Sequence, residues 1–89
     1  LPSEIVLSEA YPNPFNPVTN LDINITEDSF ATVKIYDIRG YVVHTMLSTN
    51  LEKGTHTVSW NASDFPSGLY FVRAESTNGV QSQKITLLK

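Results

Sequence analysis

The chain has 89 residues, no cysteine, 40 % apolar residues and a formal net charge of -3. A single domain of this size must fold on apolar burial and sheet hydrogen bonding, because disulfides are impossible and two isolated histidines do not make an ordinary zinc site. Six scattered Lys and Arg residues lack the basic face that nucleic-acid binding requires. No apolar run could span a bilayer, and since the chain starts at Leu1 without a signal peptide, we expect a fragment of a longer protein.

Alternation of apolar and polar residues recurs in short runs, and no run sustains the apolar spacing of a helix. We predict a short first strand at residues 5–7, a second at 21–26 and a third at 31–36. The polar stretch at 27–29 is a turn between the last two. We therefore expect the second and third strands to pair as a hairpin.

The middle of the chain predicts another hairpin and then a core strand. Residues 37–40 read Asp-Ile-Arg-Gly, the form of a type I turn whose glycine takes positive φ. The return strand is expected at 41–47, where the spacing of the apolar residues requires a bulge. Residues 48–54 are expected to form a polar loop. The strand that follows alternates up to Trp60, which is expected in the core.

The last third of the chain completes the pattern. Asn, Ser, Asp, Pro and Gly crowd residues 61–68, which predicts a loop. Residues 69–74 are apolar on both parities at their start, as in a central strand covered on both sides or in one that presents an apolar surface patch. The Asn78-Gly79 pair predicts a tight hairpin into a final strand at 80–88. Seven short strands at this spacing predict an all-β fold, an immunoglobulin-like antiparallel β-sandwich that forms one domain over 1–89.

A proline-rich stretch, Tyr11-Pro-Asn-Pro-Phe-Asn-Pro17, departs from this pattern. Its prolines donate no ladder hydrogen bond and fix their own φ, so the segment is a stiff, extended connector. One interpretation places it between the two sheets, with Tyr11 and Phe15 as apolar pegs under the sandwich. The other makes it a rigid exposed epitope for a partner, and both can hold together.

Catalytic chemistry finds no support in the sequence. His44 and His56 lie in predicted strands without a nucleophile motif, and the adjacent carboxylates at 27–28 are in a solvated turn. The loop at 61–68 offers a few side-chain oxygens, fewer than the six to eight ligands of calcium, so calcium binding there stays open. We predict no catalytic residue, no metal ligand, no cofactor and no small-molecule substrate.

Several short motifs, taken in order and spacing, carry a resemblance to a known family; they lie at 11–17, 35–40, 54–60, 67–72 and 84–89. Over residues 5 to 89 the chain resembles the C-terminal sorting domains of the type IX secretion system. It is also similar to an immunoglobulin-like domain of the flagellar hook-capping protein. The resemblance therefore implies the fold more firmly than the pathway.

The resemblance implies that this domain ends a larger exported protein and directs it through the periplasm to the cell surface or the extracellular space. It implies three partners, namely an outer-membrane translocon, a surface sortase-like protease and a covalently linked upstream cargo. The partner-binding residues carried over from the family are Pro12, Asn13, Pro14, Gly68, Tyr70, Lys84, Ile85, Leu87, Leu88 and Lys89.

The residues themselves support simpler roles beside that one. Gly68 fits a turn that needs positive φ, and Tyr70 fits a core ring with a satisfied hydroxyl. The final strand is expected at a sheet edge, and we hypothesise that export machinery extends its unpaired backbone groups with a partner strand. The alternative function is an accessory module that spaces or assists substrate binding by a neighbouring enzyme, since the same sandwich hosts many tasks.

Overall fold

The structure, a computed structural model, describes residues 5–77 and 79–89. These residues contain no helix, and so none that would cross a membrane. The all-β prediction is confirmed. The strands are β1 (Ile5–Leu7), β2 (Val18–Ile25), β3 (Ser29–Tyr36), β4 (Val42–Leu51), β5 (Gly54–Asn61), β6 (Gly68–Ser76) and β7 (Gly79–Leu87).

The strands form two antiparallel sheets that pack face to face. One sheet has the order β1-β2-β5 and the other the order β4-β3-β6-β7. This arrangement confirms the predicted seven-stranded immunoglobulin-like sandwich, with the fourth strand paired to the third in the four-stranded sheet. The predicted hairpin into the final strand is also observed, because β6 and β7 pair from Gly68–Leu87 to Ser76–Gly79. Asn78 itself lies outside the described residues.

The predicted hairpin between the second and third strands is wrong. β2 pairs with β1 and β5, whereas β3 pairs with β4 and β6, so the turn between them joins the two sheets. Alternation defines which face of a strand is apolar, and that face is buried in the interior whether the two strands pair in one sheet or lie in facing sheets. Here the apolar faces of β2 and β3 are both buried in the interior between the sheets.

The β3–β4 hairpin is confirmed, including its turn and its irregular register. Gly40 has φ of 90°, and Asp37 Oδ1 accepts hydrogen bonds from the N–H groups of Arg39 and Tyr41 at 2.9 and 3.1 Å. The pairing skips Met46 and Val43, which places two bulges in β4. The bulges let the apolar side chains of β4 turn inward despite their uneven spacing.

The loop expected at 48–54 is shorter than predicted. Residues 48–51 continue β4 and pair with the first half of β3, which leaves only Glu52 and Lys53 between strands. The polarity of this stretch reflects exposure on an edge strand, where a strand tolerates polar side chains on its wet positions. Polarity alone therefore did not mark the end of pairing.

The core is aromatic at one end of the sandwich. Trp60 is buried as predicted, and its ring centroid lies 5.3 Å from Tyr70, 5.4 Å from Phe65 and 5.6 Å from Phe15. The four rings close the end of the sandwich near Gly68, where β6 begins. Tilted and edge-to-face arrangements of this kind stabilise beyond simple area burial.

Strand β6 settles the question left by its apolar residues. Tyr70, Val72 and Ala74 are buried, whereas Leu69 and Phe71 are 42 % and 38 % exposed. Of the two expectations, the apolar surface patch is therefore the correct one.

Candidate functional site: the proline segment on the edge of β7

The proline-rich stretch at 11–17, called the proline segment below, crosses from one sheet to the other. At one end the Tyr11 N–H donates to Asn20 O at 2.9 Å, which attaches the segment to β2. At the other end the Phe15 N–H donates to Thr86 O and Phe15 O accepts from the Leu88 N–H, both at 2.9 Å. Its three prolyl bonds are cis. The predicted connector between sheets is confirmed.

Only one of the two expected apolar pegs is buried. Phe15 is 2 % exposed and packs against Trp60, but Tyr11 is 49 % exposed. The expectation for Tyr11 is wrong because the segment is paired with β2 at this point, and the ring lies outside with its hydroxyl 3.4 Å from Asp22 Oδ1.

The side chain of Asn13 makes the hydrogen bonds to β7 that the backbone of a paired strand would make. Its Nδ2 donates to Lys84 O at 3.3 Å, and its Oδ1 accepts from the Thr86 N–H at 3.0 Å. A carboxamide carries the same donor and acceptor as a peptide group. Since Pro12 and Pro14 have no N–H to give, the side chain between them continues the ladder.

The outward backbone groups of residues 84–88 are consequently occupied. Lys84 O and Thr86 N–H are bonded to Asn13, and Thr86 O and Leu88 N–H are bonded to Phe15. β7 is an edge strand, as predicted. The expected unpaired groups on this half of the edge are not found, because the proline segment covers them.

Two glutamines extend this attachment upstream. The Leu7 N–H donates to Gln81 Oε1 at 2.9 Å, the Ala10 N–H donates to Gln83 Oε1 at 2.5 Å, and Gln83 Nε2 donates to Ser8 O at 2.7 Å. Sequence reasoning missed both glutamines. Their positions in the strand could have identified them. Both lie on the face of β7 that carries the buried Ile85, and a side-chain amide on that face needs a hydrogen-bond partner.

Gly68 and Tyr70 lie next to this attachment, on the neighbouring strand. Gly68 has φ of 152° and pairs with Leu87, and Tyr70 pairs with Ile85. Tyr70 Oη donates to Pro66 O at 2.6 Å, the tyrosine corner of immunoglobulin-like domains. Burial, with a smaller contribution from the charge of Asp37, raises the pKa of Tyr70 and keeps the donating proton. The predicted core role of Tyr70 is confirmed.

The end of the chain is fixed to the loop at 61–68. Lys89 N–H donates to Ser67 Oγ at 3.0 Å, and Lys89 Nζ donates to Ser63 O at 2.6 Å. Asn61 Oδ1 accepts from the Ser63 N–H at 3.0 Å. The Ser63 carbonyl oxygen of the loop thus accepts from the Lys89 ammonium group, and the Asn61 side-chain oxygen accepts within the turn of the loop itself.

The structure therefore gathers the predicted partner-binding residues at one end of the sandwich. The exposed members are Pro12, Asn13, Pro14, Gly68, Lys84, Leu88 and Lys89. The buried members are Tyr70, Ile85 and Leu87, which support that surface from below.

The fold and this surface together define the structural class of the domain. The polar groups form a hydrogen-bonded surface, and the described residues contain no group of three His, Cys, Asp or Glu side chains placed to hold a metal ion. The fold therefore places the chain among small immunoglobulin-like β-sandwich domains.

The family of secretion system C-terminal sorting domains matches residues 9–88, and the chain belongs to that family. The resemblance drawn from the motifs is thereby confirmed. The chain is a sorting domain of the type IX secretion system, which implies export to the cell surface or the extracellular space. Domains of this family are in general non-catalytic.

Among solved structures, the chain is similar to PorZ of Porphyromonas gingivalis, an essential bacterial surface component of the type-IX secretion system. The two share 23 % identity with a TM-score of 0.61, over 91 % of this chain and 11 % of the PorZ chain. The likeness supports the fold. No curated protein matches the chain.

Proposed function

We propose that this domain is the C-terminal signal of a larger exported protein, and that the outer-membrane translocon binds the end built by the proline segment and residues 84–89. The observation that carries the proposal is the pair of hydrogen bonds from Asn13 to Lys84 and Thr86. They join two family motifs from opposite ends of the chain into one surface.

Recognition of this surface relies on side chains. The backbone groups that strand addition needs at 84–88 are already bonded to the proline segment, so a partner meets proline rings, the exposed Leu88 and the nearby lysines. A rigid apolar surface beside cationic groups is a suitable docking site because little ordering entropy is lost on binding.

We also propose the fate of the domain. The cargo is linked upstream, the chain passes through the periplasm, and a surface sortase-like protease removes the domain after export. The domain contributes no catalysis of its own, which the general behaviour of the family supports. Fusion of these 89 residues behind an exported reporter tests the proposal.

Surface delivery of the reporter is expected only in a host that has the type IX translocon. Asn13→Ala is expected to reduce delivery, whereas the matched Asn50→Ala, on the exposed part of β4, leaves it unchanged. Thermal unfolding of both variants separates loss of recognition from loss of fold. Delivery without the translocon, or undiminished delivery by a folded Asn13→Ala variant, would contradict the proposal.

A further inference from the structure

The outer face of the four-stranded sheet carries two ordered rows of side chains. The strand registers align Val42, Tyr36, Phe71 and Lys84 across the sheet in one row. The next row aligns Thr45, Lys34, Arg73 and Ser82. The alternate residues of β3 and β6 are buried, so the rows face outward. A row that is apolar except for Lys84 therefore lies beside a cationic row that carries Lys34 and Arg73.

The cationic row is unfavourable for the fold alone. Lys34 lies directly opposite Arg73, and like charges in that position destabilise a sheet. Arg73 Nε is 2.8 Å from Glu75 Oε1, which offsets part of the repulsion, but no ion pair of Lys34 occurs among the described residues. Among the described residues, Lys34, Arg73 and Lys84 lie on this face against two carboxylates, Glu75 and, in the groove lining, Asp37, which is itself 3.2 Å from Arg39. The whole chain, by contrast, has nine Asp and Glu against six Lys and Arg.

A groove lies where the two rows meet the β3–β4 turn. Its volume is about 360 Å³, and its lining includes Tyr36, Phe71, Ile38 and Arg73. Phe71 and Ile38 are 38 % and 72 % exposed. The groove thus offers an apolar wall to one side chain and a guanidinium beside it.

We propose that this outer face binds an acidic protein segment that carries an apolar side chain next to its carboxylates. The apolar side chain occupies the groove, and the carboxylates meet Lys34 and Arg73. Charge complementarity selects the partner, since the face is cationic on an acidic chain. The proposal goes beyond the translocon surface and does not depend on it, because neither the proline segment nor residues 84–89 line the groove.

A protein segment fits the site better than an anionic membrane does. The groove is a local recess that a side chain of a peptide can enter, whereas the continuous layer of headgroups of a membrane stays outside it. The discrimination is made with two probes. One is the peptide acetyl-Glu-Asp-Leu-Phe-Asp-Glu-amide, and the other is a vesicle of phosphatidylglycerol.

Titration of the isotope-labelled 89-residue chain with the peptide is followed by NMR. Chemical-shift changes are expected at Tyr36, Phe71 and Arg73, and the affinity is expected to fall as salt rises. Lys34→Gln and Arg73→Gln should each weaken binding about two- to fivefold, the size of an exposed ion pair. Lys53→Gln, an exposed lysine in the β4–β5 turn, is the matched control and should bind unchanged.

Four outcomes overturn the proposal. They are no binding of the acidic peptide, equal binding of acetyl-Lys-Lys-Leu-Phe-Lys-Lys-amide, shifts confined to the proline segment, or binding of the vesicle alone with the same dependence on Lys34. Far-UV circular dichroism of each variant confirms its fold. Because Lys34 and Arg73 are outside the core, at least one of the two variants is expected to fold and give a result.

Discussion

The two sides of the sandwich protect their edge strands by different means. On one side β7 pairs with β6 over nine residues without a register shift, and the proline segment covers its outer edge. On the other side β4 carries two bulges and no covering segment is attached to it among the described residues. A regular edge is a template for unwanted pairing, whereas a bulged edge is a poor one.

This difference explains why the proline segment lies where it does. Of the two edges of the four-stranded sheet, β7 is the regular one and β4 is already distorted, so only β7 needs a cover. The cover is made of prolines and one carboxamide, which occupy the edge and offer few backbone donors in return. The residues that block strand addition are the ones for which we propose a role in recognition.

Removal of the apolar anchor of the cover is expected to have the largest effect. Phe15→Ala deletes a buried ring against Trp60 and should lower the free energy of unfolding by about 3–5 kcal/mol. Met46→Ala, at a partly buried bulge on the uncovered side, should cost about 1–2 kcal/mol. Urea unfolding measures both. Equal losses of unfolding free energy would mean that Phe15 contributes no more to the covered side than Met46 contributes to the bulged side.

The glutamine attachment is expected to contribute less. Gln83→Ala leaves the N–H of the buried Ala10 without a partner and should cost about 1–3 kcal/mol. Gln81→Ala removes one hydrogen bond at an exposed position and should cost about 0.5–1.5 kcal/mol. Amide exchange at Ala10 should accelerate in the first variant and stay unchanged in the second. Equal losses of unfolding free energy in the two variants would mean that burial of the Ala10 N–H does not increase the effect of losing its partner.

The sequence predicted the positions of the strands better than it predicted which strands pair with each other. Alternation, apolar runs and turn signals together located all seven strands, and residues 37–40 predicted both the turn and the positive φ of Gly40. The same alternation did not tell whether β2 and β3 pair side by side or pack across the interior, since both solutions bury the same faces. The connection between sheets is a long-range property that no local pattern contains.

The sequence predicted which residues belong to the candidate site but not all the hydrogen bonds that hold the site together. The family motifs named Asn13 and Lys84, and the structure brings them together. The hydrogen bonds of Gln81 and Gln83 depend on how closely the chain before Pro12 approaches β7, which residue types do not reveal. For the same reason the edge of β7 was expected to be open, although the segment that closes it was recognised as stiff and extended.

The smallest expected effect concerns the turn that leads into the bulged strand. Partial desolvation alone would raise the pKa of Asp37. The hydrogen bonds from the Tyr41 and Arg39 N–H groups and the charge of the Arg39 guanidinium outweigh that effect, so the pKa lies below its usual 3.8. A folded pKa below the unfolded one stabilises the protein above the unfolded pKa. That stabilisation is lost as the pH falls through the folded pKa.

Asp37→Asn keeps an acceptor for the turn and removes the charge. The variant should therefore have a slightly lower Tm than the parent at pH 7, and the gap should close as the pH falls below about 4, where the aspartate begins to protonate. Thermal scans from neutral to strongly acidic pH measure the gap. Because the turn feeds β4, amide exchange should rise at Tyr41 and stay constant at Thr86, on the covered edge. A gap that is constant with pH would mean that the charge of Asp37 does not stabilise the turn. Faster exchange at Thr86 would mean that the two sides are coupled through this turn and do not protect their edges independently.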